Sequence, residues 1–232
     1  TCTFSDDFPT TNNAYKTSLS GSQDAVVFKM DKSLSQMIYS TYIGGTKDDA
    51  AYSIDLSDDN RAYVCGGTTS QDFPTSNNAY NTSYNGGNSD AFVCALSPYG
   101  DYLDYSTLFG SQYYDQAFFV RLDKDNFPYI FGQTKATGST LIHNALYSIP
   151  NSGQMVAKFS KELDSLCFST VFGSGDGIIN ISPSGFAVDI CDRIYCAGWG
   201  RIFKYRKNAF GYTSFGTQNL ETTSDAFSSL TD

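Results

Sequence analysis

Basic residues and histidine are scarce in this chain. Its 232 residues include 15 Lys and Arg against 24 Asp and Glu, a formal charge of −9, and His143 is the only histidine. Proteins that bind nucleic acid present basic patches to the phosphates, so a nucleic-acid partner is not expected. No apolar run reaches the about 18 residues of a membrane-spanning helix, so no membrane span is expected either. Residues 1–10 lack the pattern of a signal peptide.

Catalytic motifs are also missing. The sequence has no Gly-x-Ser-x-Gly, no His-Glu-x-x-His and no sialidase-type Asp box. The glycine-rich Gly173–Gly177 precedes a predicted strand rather than a helix, so it predicts a turn with positive φ and not a phosphate site. The turns Asp58–Asn60 and Asp123–Asn126 carry oxygens of the kind that calcium binds, but they lack an EF-hand ligand series and are interpreted as hairpin turns. No metal or cofactor is expected.

What the chain does have is an internal repeat. The segment Ala51–Gly110 contains four alternating apolar runs bounded by Asp, Asn, Pro and Gly. This is the pattern of four short antiparallel strands, here called a, b, c and d. Tyr63–Gly66 recurs as Tyr129–Gly132 and as Tyr195–Gly198, each time 66 residues later. A period of this length with four strands per copy is typical of a β-propeller blade.

The predicted fold is therefore all-β, a segment of a β-propeller made of four-stranded antiparallel blades. About three and a half blades are expected, and the missing blades come either from more of the same polypeptide, which is the favoured alternative, or from another chain. In the fourth copy, strand a is predicted at Phe186–Ile190 and strand b at Ile194–Gly198, with a connecting turn two residues shorter than in the other copies. The predicted blades are 1–45 (partial), 46–110, 111–174 and 175–232 (partial).

The connections between strands b and c carry the strongest sign of a binding function. They are long and rich in Tyr, Asn, Thr, Ser and Gly, and they are predicted to project from one face, where loops on a rigid scaffold usually bind. The last of them, Trp199–Thr223, mixes aromatic and basic side chains, which either grip a protein or glycan partner or fold onto the blade as a lid. The recurring pairs Phe8–Pro9 and Phe73–Pro74 are predicted to plug their blades. The predicted binding residues are Arg201, Phe203, Tyr205, Arg206, Phe210 and Tyr212.

Four carboxylates define the alternative function, a carbohydrate-active enzyme. Asp48, Asp49, Asp115 and Asp176 fall on the connections between strand d of one blade and strand a of the next. A pair of carboxylates about 5–9 Å apart is what glycoside hydrolysis requires. Acidic residues are also common in exposed turns, and no catalytic motif accompanies these four. The non-catalytic role is therefore favoured.

The six cysteines suit an exported protein. Cys65 and Cys94 lie on neighbouring strands b and c of one blade. They either form a disulfide, with a stabilisation of about 3 kcal/mol, or remain buried thiols that act as small apolar residues. Cys191 and Cys196 flank the predicted hairpin of the fourth blade and form a second candidate pair.

Two stretches resemble a known family. Within Ala51–Gly110, the run AYVCGGTTSQDFPTSNNAY…DAFVCALSPYG…LDYSTLFG resembles the SBBP β-propeller repeat of bacterial surface proteins. The later run FGSGDGIINISPSGFAVDICDRIYCAGWG (Phe172–Gly200), followed by TTSDAFSSLTD, is similar to the large Bacteroidetes surface proteins that carry PKD-type domains and a gliding-motility-associated sorting region. The resemblance implies export by the type IX secretion machinery and a place at the bacterial cell surface. A non-catalytic scaffold or adhesion module, in gliding or attachment, is the expected role.

Overall fold

The computed structural model describes residues 1–200, 222–224 and 226, and this part of the chain is all-β. It contains thirteen strands, and no helix occurs among the described residues, so none is present there that could span a membrane. The strands are β1 (Cys2–Thr3), β2 (Asp24–Met30), β3 (Met37–Ile43), β4 (Asp49–Leu56), β5 (Ala62–Thr68), β6 (Asp90–Leu96), β7 (Leu103–Phe109), β8 (Asp115–Leu122), β9 (Pro128–Thr134), β10 (Gln154–Phe159), β11 (Leu166–Phe172), β12 (Ile181–Val188) and β13 (Ile194–Gly200).

The strands form four antiparallel sheets, numbered here in chain order. Sheet I is β1–β3, sheet II is β4–β7, sheet III is β8–β11 and sheet IV is the hairpin β12–β13. Strands that follow each other in the sequence are neighbours in each sheet, so sheets II and III are four-stranded meanders. The predicted all-β class and the four-stranded repeat unit are confirmed. Thr1–Ser5, which aligns with the end of a strand b, contains β1, and β1 pairs with β2 as that position requires.

One irregularity recurs in the first strand of sheets II, III and IV. The register with the second strand shifts after Ala51, Ala117 and Pro183, so each first strand contains one extra residue, a β-bulge. These positions are 66 residues apart, like the repeat itself. A Cβ on Gly66 or Gly132, which lie on the facing second strands, would overlap a backbone carbonyl oxygen of the first strand. Glycine is required there because two backbones approach each other closely.

The fourth repeat differs from its prediction at the first strand. Strand β12 ends at Val188, whereas the sequence predicts a strand at Phe186–Ile190. The turn that follows is closed by the amide of Asp189, which donates to the carbonyl oxygen of Arg193 at 3.0 Å, and it has the same length as the turns of sheets II and III. The predicted shortening by two residues is wrong. Asp192 takes the left-handed φ of 62° that asparagine takes in the other two turns, and a short polar side chain tolerates that conformation.

Consecutive sheets pack face to face, and the middle sheets are buried on both faces. Tyr39 and Val64 belong to the core between sheets I and II, Val93 and Ile130 to the core between sheets II and III, and Phe186 packs against sheet III. Every residue of β5, β6 and β9 is buried. Because side chains alternate between the two faces of a strand, each of these strands supplies two cores, which explains their continuous apolar sequences.

Candidate functional site

The connections between consecutive sheets hold the carboxylates of the enzyme hypothesis. Asp49 and Asp115 are the first residues of β4 and β8, and they are 1% and 0% exposed. Asp48 and Asp176 are exposed. The four predicted side chains therefore separate into two that belong to the interior and two that face solvent.

The two buried carboxylates tie each connection to the following sheet. Asp115 Oδ2 accepts hydrogen bonds from the amide (2.6 Å) and the hydroxyl (2.8 Å) of Ser111, and Oδ1 accepts one from a threonine hydroxyl of β9. Asp49 Oδ2 accepts hydrogen bonds from the Gly45 amide and the Ser70 hydroxyl, both at 2.8 Å. Burial raises the pKa of both carboxyl groups, and these hydrogen bonds oppose the rise. The two groups act as structural acceptors within the fold.

Each buried carboxylate faces a second one that the sequence analysis missed. Asp24 and Asp90 are the first residues of β2 and β6, and both are 0% exposed. A Cβ on Gly110 would lie 2.8 Å from Asp90 Oδ1 and 3.1 Å from Asp115 Oδ2, and at Gly44 the corresponding distances are both 2.7 Å. Two carboxylates therefore converge beside a glycine at junction I/II (between sheets I and II) and at junction II/III. The Asp-Ala dipeptide that opens both strands was a signal for this pair in the sequence.

Junction III/IV has the same geometry but carries amides. Gln154 and Asn180 are 0% and 3% exposed. A Cβ on Gly173 would lie 2.8 Å from Asn180 Oδ1 and 3.0 Å from Gln154 Oε1. Gly173, Gly175 and Gly177 all have positive φ, which confirms the predicted turn between repeats. The polar pair is thus common to three junctions, while its charge is not.

Junction I/II contains its own counter-ion. Lys16 Nζ lies 2.8 Å from Asp24 Oδ2 and 2.7 Å from the carbonyl oxygen of Gly44. The Lys16 side chain is 18% exposed and the Asp24 side chain is 0% exposed. An ammonium in this position offsets the cost of burying a carboxylate, which is high when the charge stays unpaired.

The hairpin turns that were considered as calcium loops use their carboxylates within the fold. Asp123 Oδ2 lies 2.9 Å from Lys158 Nζ, and its Oδ1 accepts hydrogen bonds from the amides of Asp125 and Phe127, both at 2.9 Å. The turn residue Asn126 has a left-handed φ of 66°. These contacts confirm the interpretation as hairpin turns. In the described part of the chain, no three His, Cys, Asp or Glu side chains converge.

The long connections between the second and third strands lie against the sheets. The amide of Thr11 donates to the carbonyl oxygen of Ser40 in β3 at 3.1 Å, and Ser76 makes the same bond to Ser106 in β7 at 3.0 Å. The connection that precedes β10 bonds to β11 in the same way. The prediction that these loops project from one face is wrong for the three described ones. Each follows the last strand of its own sheet because that edge presents unpaired backbone groups.

Phe8 and Phe73 plug sheets I and II as predicted. Phe73 is 4% exposed and stacks on Phe92 with ring centroids 4.5 Å apart, while Phe8 meets the edge of Tyr42 at 6.1 Å. The proline that follows each phenylalanine accepts a hydrogen bond, through its carbonyl oxygen, from a serine hydroxyl of the last strand. The Phe-Pro pair therefore fastens each connection to its sheet.

The predicted binding residues follow strand β13 in the sequence. The residues Arg201, Phe203, Tyr205, Arg206, Phe210 and Tyr212 lie outside the described residues. Strand β13, which leads to them, carries Tyr195 and Trp199, which are 54% and 59% exposed. Tyr99 and Tyr102, in the turn before β7, are 77% and 67% exposed. Aromatic surface is therefore exposed on the strand that precedes that segment in the sequence and also on a short turn.

All six cysteines are free thiols, so Cys65 and Cys94 follow the second of their two alternatives, as buried thiols, and the candidate pair Cys191 and Cys196 is not joined. Cys65 lies opposite Val93 and Cys94 lies opposite Val64, so the two cysteines are one residue out of register. Because neighbours along a strand point to opposite faces, Cys65 faces sheet III and Cys94 faces sheet I.

The second pair is separated along its hairpin. Cys196 lies opposite Phe186, while Cys191 lies in the turn beyond Ile194. The two residue steps from Ile194 to Cys196 already span about 7 Å, which is the limit of the Cα separation in a disulfide.

We expect Cys65 and Cys94 to resist thiol reagents in the native protein. Both are 0% exposed, and burial raises the pKa of each thiol well above its ordinary value. Peptide mapping after brief iodoacetamide treatment at pH 8 should find them unmodified and the exposed Cys191 modified. All six thiols should react after unfolding without reductant, and a non-reduced peptide that links two cysteines would contradict this result.

Comparison with known proteins assigns no family to this chain. No protein-family model matches the sequence, and no curated protein matches it.

Proposed function

We propose that this chain is a segment of a β-propeller that serves as a non-catalytic scaffold and adhesion module on a bacterial cell surface, as its resemblance to SBBP repeats implies. Its partners are further blades of the same polypeptide, the type IX secretion machinery during export, and a surface protein or glycan. The aromatic and basic residues between Arg201 and Tyr212 are the proposed contact to that ligand.

The arrangement of the first strands supports the propeller. Strand β4 contacts β8, and β8 contacts β12. The bulge residues Tyr52 and Phe118 stack with their ring centroids 5.1 Å apart. In a propeller, the first strands of successive blades are neighbours around the central channel, while the later strands diverge toward the rim. The face-to-face packing of sheets I to IV fits the same arrangement.

The state of the carboxylates is the observation that favours a non-catalytic role. An acid–base pair must reach substrate and water. Asp49 and Asp115 are at most 1% exposed, and they accept hydrogen bonds from the turns that they hold. Their presence in the sequence is thus explained by folding, which removes the main support for the carbohydrate-active enzyme.

Replacing aromatic residues of the proposed contact is expected to weaken attachment. A chain with Tyr205→Ala, Phe210→Ala and Tyr212→Ala should lose about tenfold or more in retention on glycan arrays or bacterial surface extracts, because buried aromatic rings dominate such contacts. The control variant, Asp48→Asn with Asp176→Asn, changes only exposed carboxylates and should bind like the unchanged chain.

The same variants test the enzyme reading. If the unchanged chain degrades a polysaccharide and the double Asp variant does not, the hypothesis of a carbohydrate-active enzyme replaces that of an adhesion module. If the aromatic variant keeps full retention with an unchanged melting temperature, the proposed contact is wrong.

A further inference from the structure

Junction II/III lacks the lysine that junction I/II contains. The amide of Lys16 donates to Thr41 Oγ1 at 2.9 Å, and its carbonyl oxygen accepts from the next amide of β3 at 3.0 Å. Asn81 makes the same two bonds to Thr107 and its neighbour in β7, at 2.9 and 3.0 Å. Asn81 therefore occupies the backbone position of Lys16 but brings no charge to the carboxylates of its junction.

One carboxylate oxygen of junction II/III is also without a partner. Asp90 Oδ2 accepts hydrogen bonds from the Asn85 amide (2.6 Å) and from its side chain (3.1 Å). Asp90 Oδ1, in a residue that is 0% exposed, has no hydrogen-bond partner among the described residues. This oxygen points to the space beside Gly110 that Asp115 Oδ2 also borders. In junction I/II the corresponding oxygen of Asp24 accepts from the Gly21 amide at 3.2 Å. Asp49 Oδ1 in junction I/II and Gln154 Oε1 in junction III/IV also have no hydrogen-bond partner in the described part of the chain, so the difference between the junctions is the missing counter-charge.

The three junctions thus differ in how the charge of their buried polar pair is neutralised. Junction I/II places an ammonium on its carboxylates, and junction III/IV replaces them with amides. Junction II/III keeps two buried carboxylates, and no cationic side chain contacts either of them among the described residues. A buried charge without a counter-charge is costly, which points to a cation from solution.

We propose that junction II/III binds a hard divalent cation of the calcium type beside Gly110, between Asp90 Oδ1 and Asp115 Oδ2, and that this cation supplies the counter-charge that the Lys16 ammonium brings to junction I/II. Asp90 Oδ1 and Asp115 Oδ2, which both border the space beside Gly110, are the charged ligands. Calcium prefers carboxylate and carbonyl oxygens and completes its shell with water. A cleft of about 330 Å³, lined by Asn81, Asn85 and Gly110 among others, opens beside the junction.

The electrostatics of Asp90 set the conditions of the test. Burial raises the pKa of Asp90 to about 7; the Asn85 hydrogen bonds oppose the rise, and the neighbouring Asp115 adds to it. The test is therefore made at pH 8, above that pKa, where fewer protons compete with the cation. In the absence of a cation, protonation of Asp90 is the competing way to neutralise the pair.

Calorimetric titration of the purified chain with CaCl2 at pH 8, after removal of metals with EDTA, should give one binding site. At a calcium concentration a hundredfold above Kd, the melting temperature should rise by roughly 5–10 °C. Asn81→Lys should abolish binding and give a calcium-independent melting temperature near that of the calcium-loaded chain. Asp90→Asn should also abolish binding. The control Asp58→Asn, in a hairpin turn, should bind like the unchanged chain.

Three results would overturn the proposal. The first is no binding by the unchanged chain at pH 8. The second is binding that survives in Asn81→Lys with the fold intact. The third is binding that Asp58→Asn removes and Asp90→Asn leaves, which would place the ion in the hairpin turn.

Discussion

Gly132→Ala is expected to lower the free energy of unfolding by about 3 kcal/mol or more, the upper range of overpacking effects. The added methyl would overlap the carbonyl oxygen of Gln116 and would lie 3.0 Å from the Cα of Ala117. Both obstacles are backbone atoms of the bulged strand β8, so no side-chain rotation relieves the overlap. Urea denaturation followed by fluorescence measures the loss.

Gly185→Ala is the matched control. Gly185 also lies beside a bulge, in β12, but a Cβ there would meet only the Cβ of Ala197, at 3.4 Å. We expect this variant to stay within about 0.5 kcal/mol of the unchanged chain. Equal effects of the two substitutions would mean that close backbone approach is not the reason for glycine at the repeat position.

Phe159→Ala is expected to cost about 3–5 kcal/mol, which is typical of removing a fully buried phenylalanine. Phe159 is 0% exposed and lies in the core between sheets II and III. Its ring meets the ring of Phe109 in sheet II, with the centroids 5.5 Å apart, and the ring of Tyr80 in the connection between β5 and β6, at 5.9 Å. The variant leaves a cavity at the contact between two sheets, and the same urea experiment measures the cost.

Phe4→Ala provides the comparison, because Phe4 is 72% exposed. The free energy of unfolding of this variant should differ from that of the unchanged chain by no more than about 0.5 kcal/mol. If Phe159→Ala costs less than about 1 kcal/mol, sheets II and III are held together by other contacts than this aromatic cluster.

The polar pairs at the junctions fix how consecutive sheets are arranged around these cores. Apolar contacts between sheets tolerate sliding, whereas converging carboxylates or amides beside a glycine accept one arrangement in which their hydrogen bonds are made. Asp115, for example, joins the connection at Ser111 to the second strand of sheet III. The junctions thus define how each sheet follows the one before it, and junction II/III makes that position dependent on a cation in our proposal.

Much of the fold could be predicted because the chain repeats itself. Strand positions such as Ala62–Thr68 and Pro128–Thr134 follow from apolar runs that recur 66 residues apart, and local pattern is sufficient to define a strand between turns. The Phe-Pro plugs and the glycine turn at Gly173 were predicted for the same reason. The prediction for the fourth repeat was less accurate because Asp192 replaces the asparagine that marks the turn in the other repeats.

The sequence by itself determined the all-β class, the repeat unit and the places of the turns in sheets II and III, since these depend on neighbours within a few residues. Only the tertiary structure decided the register between paired strands, and so the face of the sheet on which each side chain lies. This register separates Cys65 from Cys94. It also decided that the long connections lie along sheet edges and that Asp90 meets Asp115 beside Gly110. Register and packing between distant segments depend on the whole fold, and one residue of register is enough to move a side chain to the opposite face.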